Sequence, residues 1–287
     1  MNAMADGHVL VIGLDGVRFD LLGPDGTPSI WTLGQHGFLA PVPVDETTPT
    51  WSGPCWATIA TGTGVDGHAI TGNDLTGHRL ADHPDFVTLA TRAGLPTLLA
   101  VSGWAPLVLP EDGGPLFAEA SRREFVAVPE ASLAWDSVGQ TSADETSLTT
   151  WDAADEATTR LAAAILAEDG PRVSFVYLGA VDITGHVTGA GAVYRAAALA
   201  ADQRVGRLLA AVRSRPSHGP ENWTIVVVTD HGHLDGGGHG GREPEVTTAW
   251  AAASGPGIRP AGPAPVTRQA EIAPLVLGAA GWPGHQG

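Results

Sequence analysis

Three short runs of this chain are almost wholly apolar and rich in β-branched residues, and each runs into an aspartate. They are Val9 to Leu14 before Asp15, Val173 to Leu178 before Asp182, and Thr224 to Thr229 before Asp230. A strand without polar alternation is buried on both faces, as in a parallel or mostly parallel sheet held between helical layers. Such sheets place their ligand sites beyond the carboxyl ends of the strands. Three acids at three such ends can therefore converge on one site.

Between these strands the apolar period changes to that of helices. Asp155 to Ala167 puts Ala157, Leu161, Ala164 and Ile165 on one face, and Tyr194 to Val212 does the same with Ala198, Val205, Leu208, Leu209 and Val212. Pro216 and Gly219 stop the second of these. Phe86 to Ala93 reads as another helix closed by Gly94, with a strand over Thr97 to Val101 after it. The alternation defines an α/β chain. Pro106 to Thr150 has mixed polarity and no clear period, so it reads as an irregular excursion or a small cap over the sheet edge. Ser254 to Pro265, rich in Gly and Pro, reads as loop, followed by a short helix near Gln269 to Leu277. No repeat or linker divides the chain, and one domain over residues 1–287 is expected.

Charge and cysteine content narrow the function. With 15 Lys+Arg against 31 Asp+Glu the formal charge is −16, and every basic residue is arginine. The absence of lysine excludes a Schiff-base lysine and a Walker-type phosphate loop. So acidic a chain repels phosphate backbones, so no nucleic-acid polymer is expected as a partner, whereas bound cations would offset the charge. Cys55 is the single cysteine, which leaves no intrachain disulfide and no cysteine-based zinc knuckle. The first residues, MNAMADGH, carry neither a basic n-region nor an apolar h-region, and no stretch approaches the ~18 apolar residues of a membrane helix. A cytoplasmic protein without a membrane partner is expected.

Three clusters carry chemistry. Asp230, His231, His233, Asp235 and His239 fall within ten residues of a strand end, and they offer the carboxylate and imidazole ligands that zinc and similar ions take. Asp182 and His186, four residues apart, face the same way if their segment turns as a helix. In the stretch Thr47 to Gly62, Ser52 reads as the N-cap of a helix whose first turn holds Pro54. A helix start offers free N–H groups and positive dipole to a phosphoryl oxygen. No His-Asp pair is evidently assigned to deprotonate Ser52, so coordination to a metal is the more economical activation.

Taken in order, LDGVRFD, TPSIWTLGQHG, PTWSGPCWATIATG, GVDGHAITGN, VDITGH, TDHGH, GGHGG and SGPGI resemble the alkaline phosphatase superfamily, most closely its type I phosphodiesterase/nucleotide pyrophosphatase branch. The resemblance implies an alkaline phosphatase-like fold with two metal sites. Asp15, Asp230, His231 and the Ser52 oxygen would hold one ion, and Asp182, His186 and His239 the other, with His233 and Asp235 as alternative ligands. It also implies a two-step reaction through a phosphoseryl intermediate on Ser52, with Thr50 as the fallback nucleophile. Two divalent ions are expected, zinc first on ligand chemistry, with manganese, iron or magnesium as alternatives.

Several positions depart from that branch. Ser52 stands where nucleotide pyrophosphatases usually carry Thr, and Cys55 where they have a phosphate-contacting Asn. The sulfatase frame is met at Ser52 and Pro54 but broken at Trp56, and the chain is too short for the inserted domain of the related cofactor-independent phosphoglycerate mutases. Substrate contacts are expected from Cys55, Asn73 and Arg242, with Arg18 as a further arginine. Trp51, Trp56 and Trp104 are candidates to stack on a flat leaving group. The expected function is metal-dependent hydrolysis of a small phosphodiester or nucleotide-type pyrophosphate. A phosphomonoesterase, a phosphonate C–P hydrolase and a non-catalytic metal-stabilised binding protein are the alternatives.

Overall fold

A computed structural model describes residues 7–109, 114–129, 144–260 and 262–282. Among these residues seven strands form one sheet in the order β2-β7-β6-β1-β5-β3-β4. They are β1 (His8–Leu14), β2 (Phe38–Pro41), β3 (Thr97–Gly103), β4 (Arg122–Ala127), β5 (Val173–Leu178), β6 (Trp223–Val228) and β7 (Trp250–Ser254). β1 pairs in parallel with β5 and β6, and β3 with β5 and β4. β7 alone runs the other way, antiparallel to both β6 and β2.

The apolar strands are sorted by side-chain alternation between two cores. Val9, Val11, Phe175, Tyr177, Val226 and Val228 face one cluster, packed under α2 (Ser52–Thr61), α4 (Phe86–Arg92) and α9 (Ile272–Ala279). Leu10, Ile12, Leu14, Val176, Leu178 and Val227 face the other, under α1 (Pro28–Gln35), α7 (Ala192–Arg213) and the C-terminal half of α5 (Glu145–Glu168). Two further short helices, α3 (Val65–His68) and α8 (Pro244–Thr247), lie in loops, and α6 (Ala180–Thr188) follows β5. No helix among the described residues is long and apolar enough to cross a membrane.

The sheet core and its helical layers follow the sequence reading; the described parts of segment 106–150 hold two regular elements where an irregular excursion is expected. Arg122–Ala127 is an edge strand of the sheet, and α5 begins at Glu145, ten residues before the expected start. Threonine and serine in ETSLTTWD have weak helix propensity, and what starts the helix is a cap: Asp144 accepts from the N–H groups of Thr146 and Ser147, with Ser147 answering as a capping box. The rest of the expected cap, at 110–113 and 130–143, lies outside the described residues. The face of α5 is also rephased. Leu161 is 40 % exposed, while Trp151, Ala154, Asp155, Thr158, Ala162 and Ile165 are buried. β7 and β2 were not foreseen. WAAAS has poor strand propensity and becomes a strand because it completes the hydrogen bonds of the β6 edge.

Asp155 explains the rephasing. Its carboxylate is fully buried and accepts from the N–H groups of Gly179 at 3.0 Å and Ala180 at 3.1 Å and from the Ser102 hydroxyl. It thereby caps α6 from another helix, since the N-cap residue Gly179 has no side chain to do so. We expect Asp155→Ala to lower the unfolding free energy by about 3 kcal/mol, because each orphaned buried donor costs about 1–3 kcal/mol. Urea denaturation measures this. Burial lifts the Asp155 carboxyl from 3.8 to about 6, so its proton is bound more tightly in the folded state. That contribution is full below 3.8 and is lost as pH rises through 6. The gap between wild type and variant should therefore widen on going from pH 8 to pH 5.

Candidate active site

β6, β1 and β5 are neighbours in the sheet, so the residues beyond their carboxyl ends share one end of the molecule. Asp15, Asp182 and Asp230 meet there, at 1, 5 and 0 % exposure. Around them are two groups of potential ligand atoms: Asp15, Asp230 and His231 in one, and Asp182, His186, His233 and His239 in the other. Within each group the atoms lie within 4.8 Å of one another.

In the first group His231 Nε2 is 3.1 Å from Asp230 Oδ2 and 3.7 Å from Asp15 Oδ1. His231 Nδ1 donates to the Gly232 carbonyl at 3.1 Å, which leaves the Nε2 lone pair facing the carboxylates. Asp15 Oδ2 accepts from the Tyr177 hydroxyl at 2.6 Å and the Trp56 indole N–H at 2.9 Å. Its Oδ1 is thereby turned toward Ser52 Oγ, 3.5 Å away, and Ser52 Oγ in turn is 3.3 Å from His231 Nε2.

In the second group the helical turn expected between Asp182 and His186 is present in α6, with Oδ2 and Nε2 3.6 Å apart. His239 Nε2 lies 3.6 Å from Asp182 Oδ1, and its Nδ1 donates to the Thr50 carbonyl at 2.6 Å. His233 Nε2 is 2.8 Å from the same Oδ1. The rings of His231 and His239 stack with centroids 3.8 Å apart, so the two groups adjoin.

The electrostatics of this pocket are one-sided. Burial, then the charge of Asp15, pushes the Asp182 and Asp230 carboxyls well above the usual carboxylate range. Burial also pulls His186, His231, His233 and His239 below the usual imidazole range, so they stand as neutral lone-pair donors. Asp230 Oδ2 and His239 Nε2 are buried without a hydrogen-bond partner among the described residues. Buried oxygens and nitrogens left unpaired, with no cationic side chain beside them among the described residues, fit divalent cations. A cleft of about 620 Å³ lined by Trp31, Gln35, Phe38 and Leu39 contains none of these residues, so chemistry and not volume identifies the site.

The remaining expected residues are placed as follows. Ser52 is the first residue of α2 and not its N-cap, which is Trp51; its hydroxyl is therefore directed at the first group instead of its own helix. Thr50 Oγ1 donates to the Gly241 carbonyl at 2.8 Å. Cys55 is fully buried, with its thiol toward the Pro49 carbonyl and its pKa raised by burial, so it presents no exposed atom where a substrate contact is expected. Asn73 reaches the helix start instead: its Oδ1 accepts the Gly53 N–H at 2.7 Å. Arg242 donates from Nη1 to the carbonyls of Asp45 and Thr48, tying the 45–48 loop to the segment after His239. Arg18 is buried against Asp20 and Asp235 and donates to the His233 carbonyl, which occupies Asp235 as well. Tyr177 and Trp56 were missed as partners of Asp15, since an apolar strand and an apolar helix give no sign of which neighbour their polar atoms will find.

Residues 9–242 match the type I phosphodiesterase/nucleotide pyrophosphatase family. No curated protein matches the sequence. Among solved structures, human ectonucleotide pyrophosphatase/phosphodiesterase 5 is similar at 14 % identity with a TM-score of 0.67, over 95 % of this chain and 94 % of that one. The phosphonate monoester hydrolase of Agrobacterium radiobacter is similar at 14 % identity and a TM-score of 0.67, over 96 % and 74 %. A 2-O GAG sulfatase is similar at 14 % identity and a TM-score of 0.67, over 96 % and 70 %. At such identities these likenesses establish a shared alkaline phosphatase-like fold. With its family match covering most of its length and the strand-end site inside that match, the chain belongs to the type I phosphodiesterase/nucleotide pyrophosphatase family and is a hydrolase of phosphoric ester bonds.

Proposed function

We propose that the protein is a two-metal phosphodiesterase with Ser52 as its nucleophile. The observation that carries this reading is the place of Ser52 Oγ, at the first residue of α2 and 3.3 and 3.5 Å from His231 Nε2 and Asp15 Oδ1. Asp15, Asp230, His231 and Ser52 Oγ would hold one cation, and Asp182, His186 and His239 the other. Bound there, the cations supply Lewis acidity that lowers the pKa of a hydroxyl and neutralises the phosphoryl group in transfer. Zinc suits these donors best, with manganese, iron or magnesium as alternatives.

Ser52 Oγ attacks phosphorus opposite the leaving ester oxygen; the O–P bond forms, the ester bond breaks, and the leaving alkoxide takes up a proton. Water then attacks the phosphoseryl ester, releases the phosphate product and restores the serine hydroxyl. The start of α2 contributes N–H groups and the positive end of its dipole. Asn73, its carboxamide oxygen anchored on Gly53, keeps its NH2 to donate to a non-bridging phosphoryl oxygen. The main work is positioning and charge neutralisation, so a chain without lysine can perform it.

A diester is favoured over a monoester because Arg18, which reaches the His233 carbonyl beside the site, is already paired with the carboxylates of Asp20 and Asp235 and so is not left to offset the second charge of a monoester dianion. Of the tryptophans, Trp51 is partly exposed and meets His239 edge-on at 5.6 Å, which suits a flat leaving group such as a nucleobase. Trp56 and Trp104 are buried. The buried single cysteine suits a reducing compartment, and we place the protein in the cytoplasm.

Three outcomes follow. Zinc at 100 times its dissociation constant should add about 2.7 kcal/mol of stability per site, and a thermal midpoint unmoved by zinc or by chelation would contradict metal binding. With zinc, manganese or magnesium, bis-p-nitrophenyl phosphate should turn over faster than p-nitrophenyl phosphate; the reverse ranking would make the protein a monoesterase. Ser52→Ala should cut turnover by at least about 1000-fold, in the range seen for lost nucleophiles, while metal content measured by plasma mass spectrometry stays intact. Retained turnover would remove Ser52 from the nucleophile's role.

A further inference from the structure

His233 is the one imidazole of the second group that the two-site scheme above leaves without a task. It is fully buried, and its Nε2 is 2.8 Å from Asp182 Oδ1. Its ring meets those of His186 and His239 edge-on, with centroids 4.9 and 5.3 Å apart. His233 offers a ring nitrogen to a single set with the Asp182, His186 and His239 donors, all within 4.8 Å of one another.

Two glycines make room for this ring. A Cβ on Gly185, inside α6 between Asp182 and His186, would lie 2.8 Å from the His233 ring. Glycine is unfavourable in a helix interior compared with alanine, and the ring packed on it is the compensation. A Cβ on Gly16, at φ +67°, would lie 2.9 Å from His233 Nε2 and 2.8 Å from Asp182 Oδ1. Arg18 Nη1 holds the His233 carbonyl at 3.3 Å, so the backbone that delivers the ring is also fixed.

We propose that His233 is a fourth protein ligand of the second site, which makes it an Asp-His₃ site beside an oxygen-rich site of Asp15, Asp230, His231 and Ser52. This rests on the two-metal reading above. Imidazole-rich donor sets suit zinc-like transition ions, whereas carboxylate and hydroxyl donors suit magnesium and manganese as well. The two sites therefore differ in retention and selectivity, with the second holding zinc more tightly and excluding magnesium.

Zinc titration of chelator-stripped protein against a chromophoric chelator tests this, with cobalt spectra as a second readout. Wild type should bind two equivalents of zinc, one tight and one weaker. His233→Gln carries an amide N–H out to the position of Nε2, so it keeps a hydrogen-bond donor for Asp182 but cannot readily serve as a zinc ligand; His233→Ala removes both. Both variants should weaken the tight site by more than roughly 100-fold, beyond the 10–100-fold expected for losing an outer hydrogen-bond partner. They should also leave the weak site in place and change the cobalt absorption. Far-ultraviolet circular dichroism in chelator should match wild type. If His233→Gln binds as wild type does, His233 only hydrogen-bonds Asp182 and the proposal falls. If wild type itself takes up no metal, the two-metal reading falls first and this one with it.

Discussion

Three carboxylates buried at the ends of adjacent strands, with no lysine or free arginine beside them, are the constraint to which the rest of this molecule answers. Taking one such charge out of water is costly, and gathering three raises the cost through mutual repulsion, as the upward displacement of Asp182 and Asp230 records. Protonated arginines could have settled that charge. Instead the surrounding imidazoles are held neutral, and the ones whose tautomers can be read, His231 and His239, donate through Nδ1 to backbone carbonyls. The pocket thus gathers carboxylates and neutral imidazole nitrogens, the donor types that cations take.

Much of the scaffold around the pocket serves to aim it. Tyr177 and Trp56 occupy one oxygen of Asp15 and leave the other toward Ser52. Trp56 and Ser52 sit one helical turn apart on α2, so the element that delivers the hydroxyl also orients a carboxylate beside it. Asp155 caps α6, which carries Asp182 and His186. The Tyr194 hydroxyl donates to the Gly16 carbonyl and accepts from the Arg18 N–H at 3.1 Å, pinning the turn after Asp15. Partners of this kind usually matter nearly as much as the ligands they orient.

Reading the chain from its residues went furthest where local chemistry and global position coincide. Asp15, Asp182 and Asp230 announce themselves because an acid within a few residues of the end of a doubly buried strand has few structural uses. The i,i+4 spacing of Asp182 and His186 is likewise legible, since helical geometry makes it a shared face. Legibility failed where pairing partners decide structure: β7 is alanine-rich and strand only because β6 has an open edge, and α5 starts early because Asp144 and Ser147 cap one another. It also failed for Cys55, whose neighbours bury it, and for Arg242, whose nearest acceptors are carbonyls of a loop almost 200 positions earlier in the chain.

The amino-acid order alone therefore determined the α/β class, the strands that carry the acids and the identity of most candidate ligands, because these follow from short-range periodicity and side-chain chemistry. Which oxygen of Asp15 faces the serine, which nitrogen of each histidine is free, and whether His233 or Asp235 joins the second group were decided only by the tertiary structure. Those choices depend on atoms brought together from strands and helices far apart in sequence, and no local pattern encodes the distance between them.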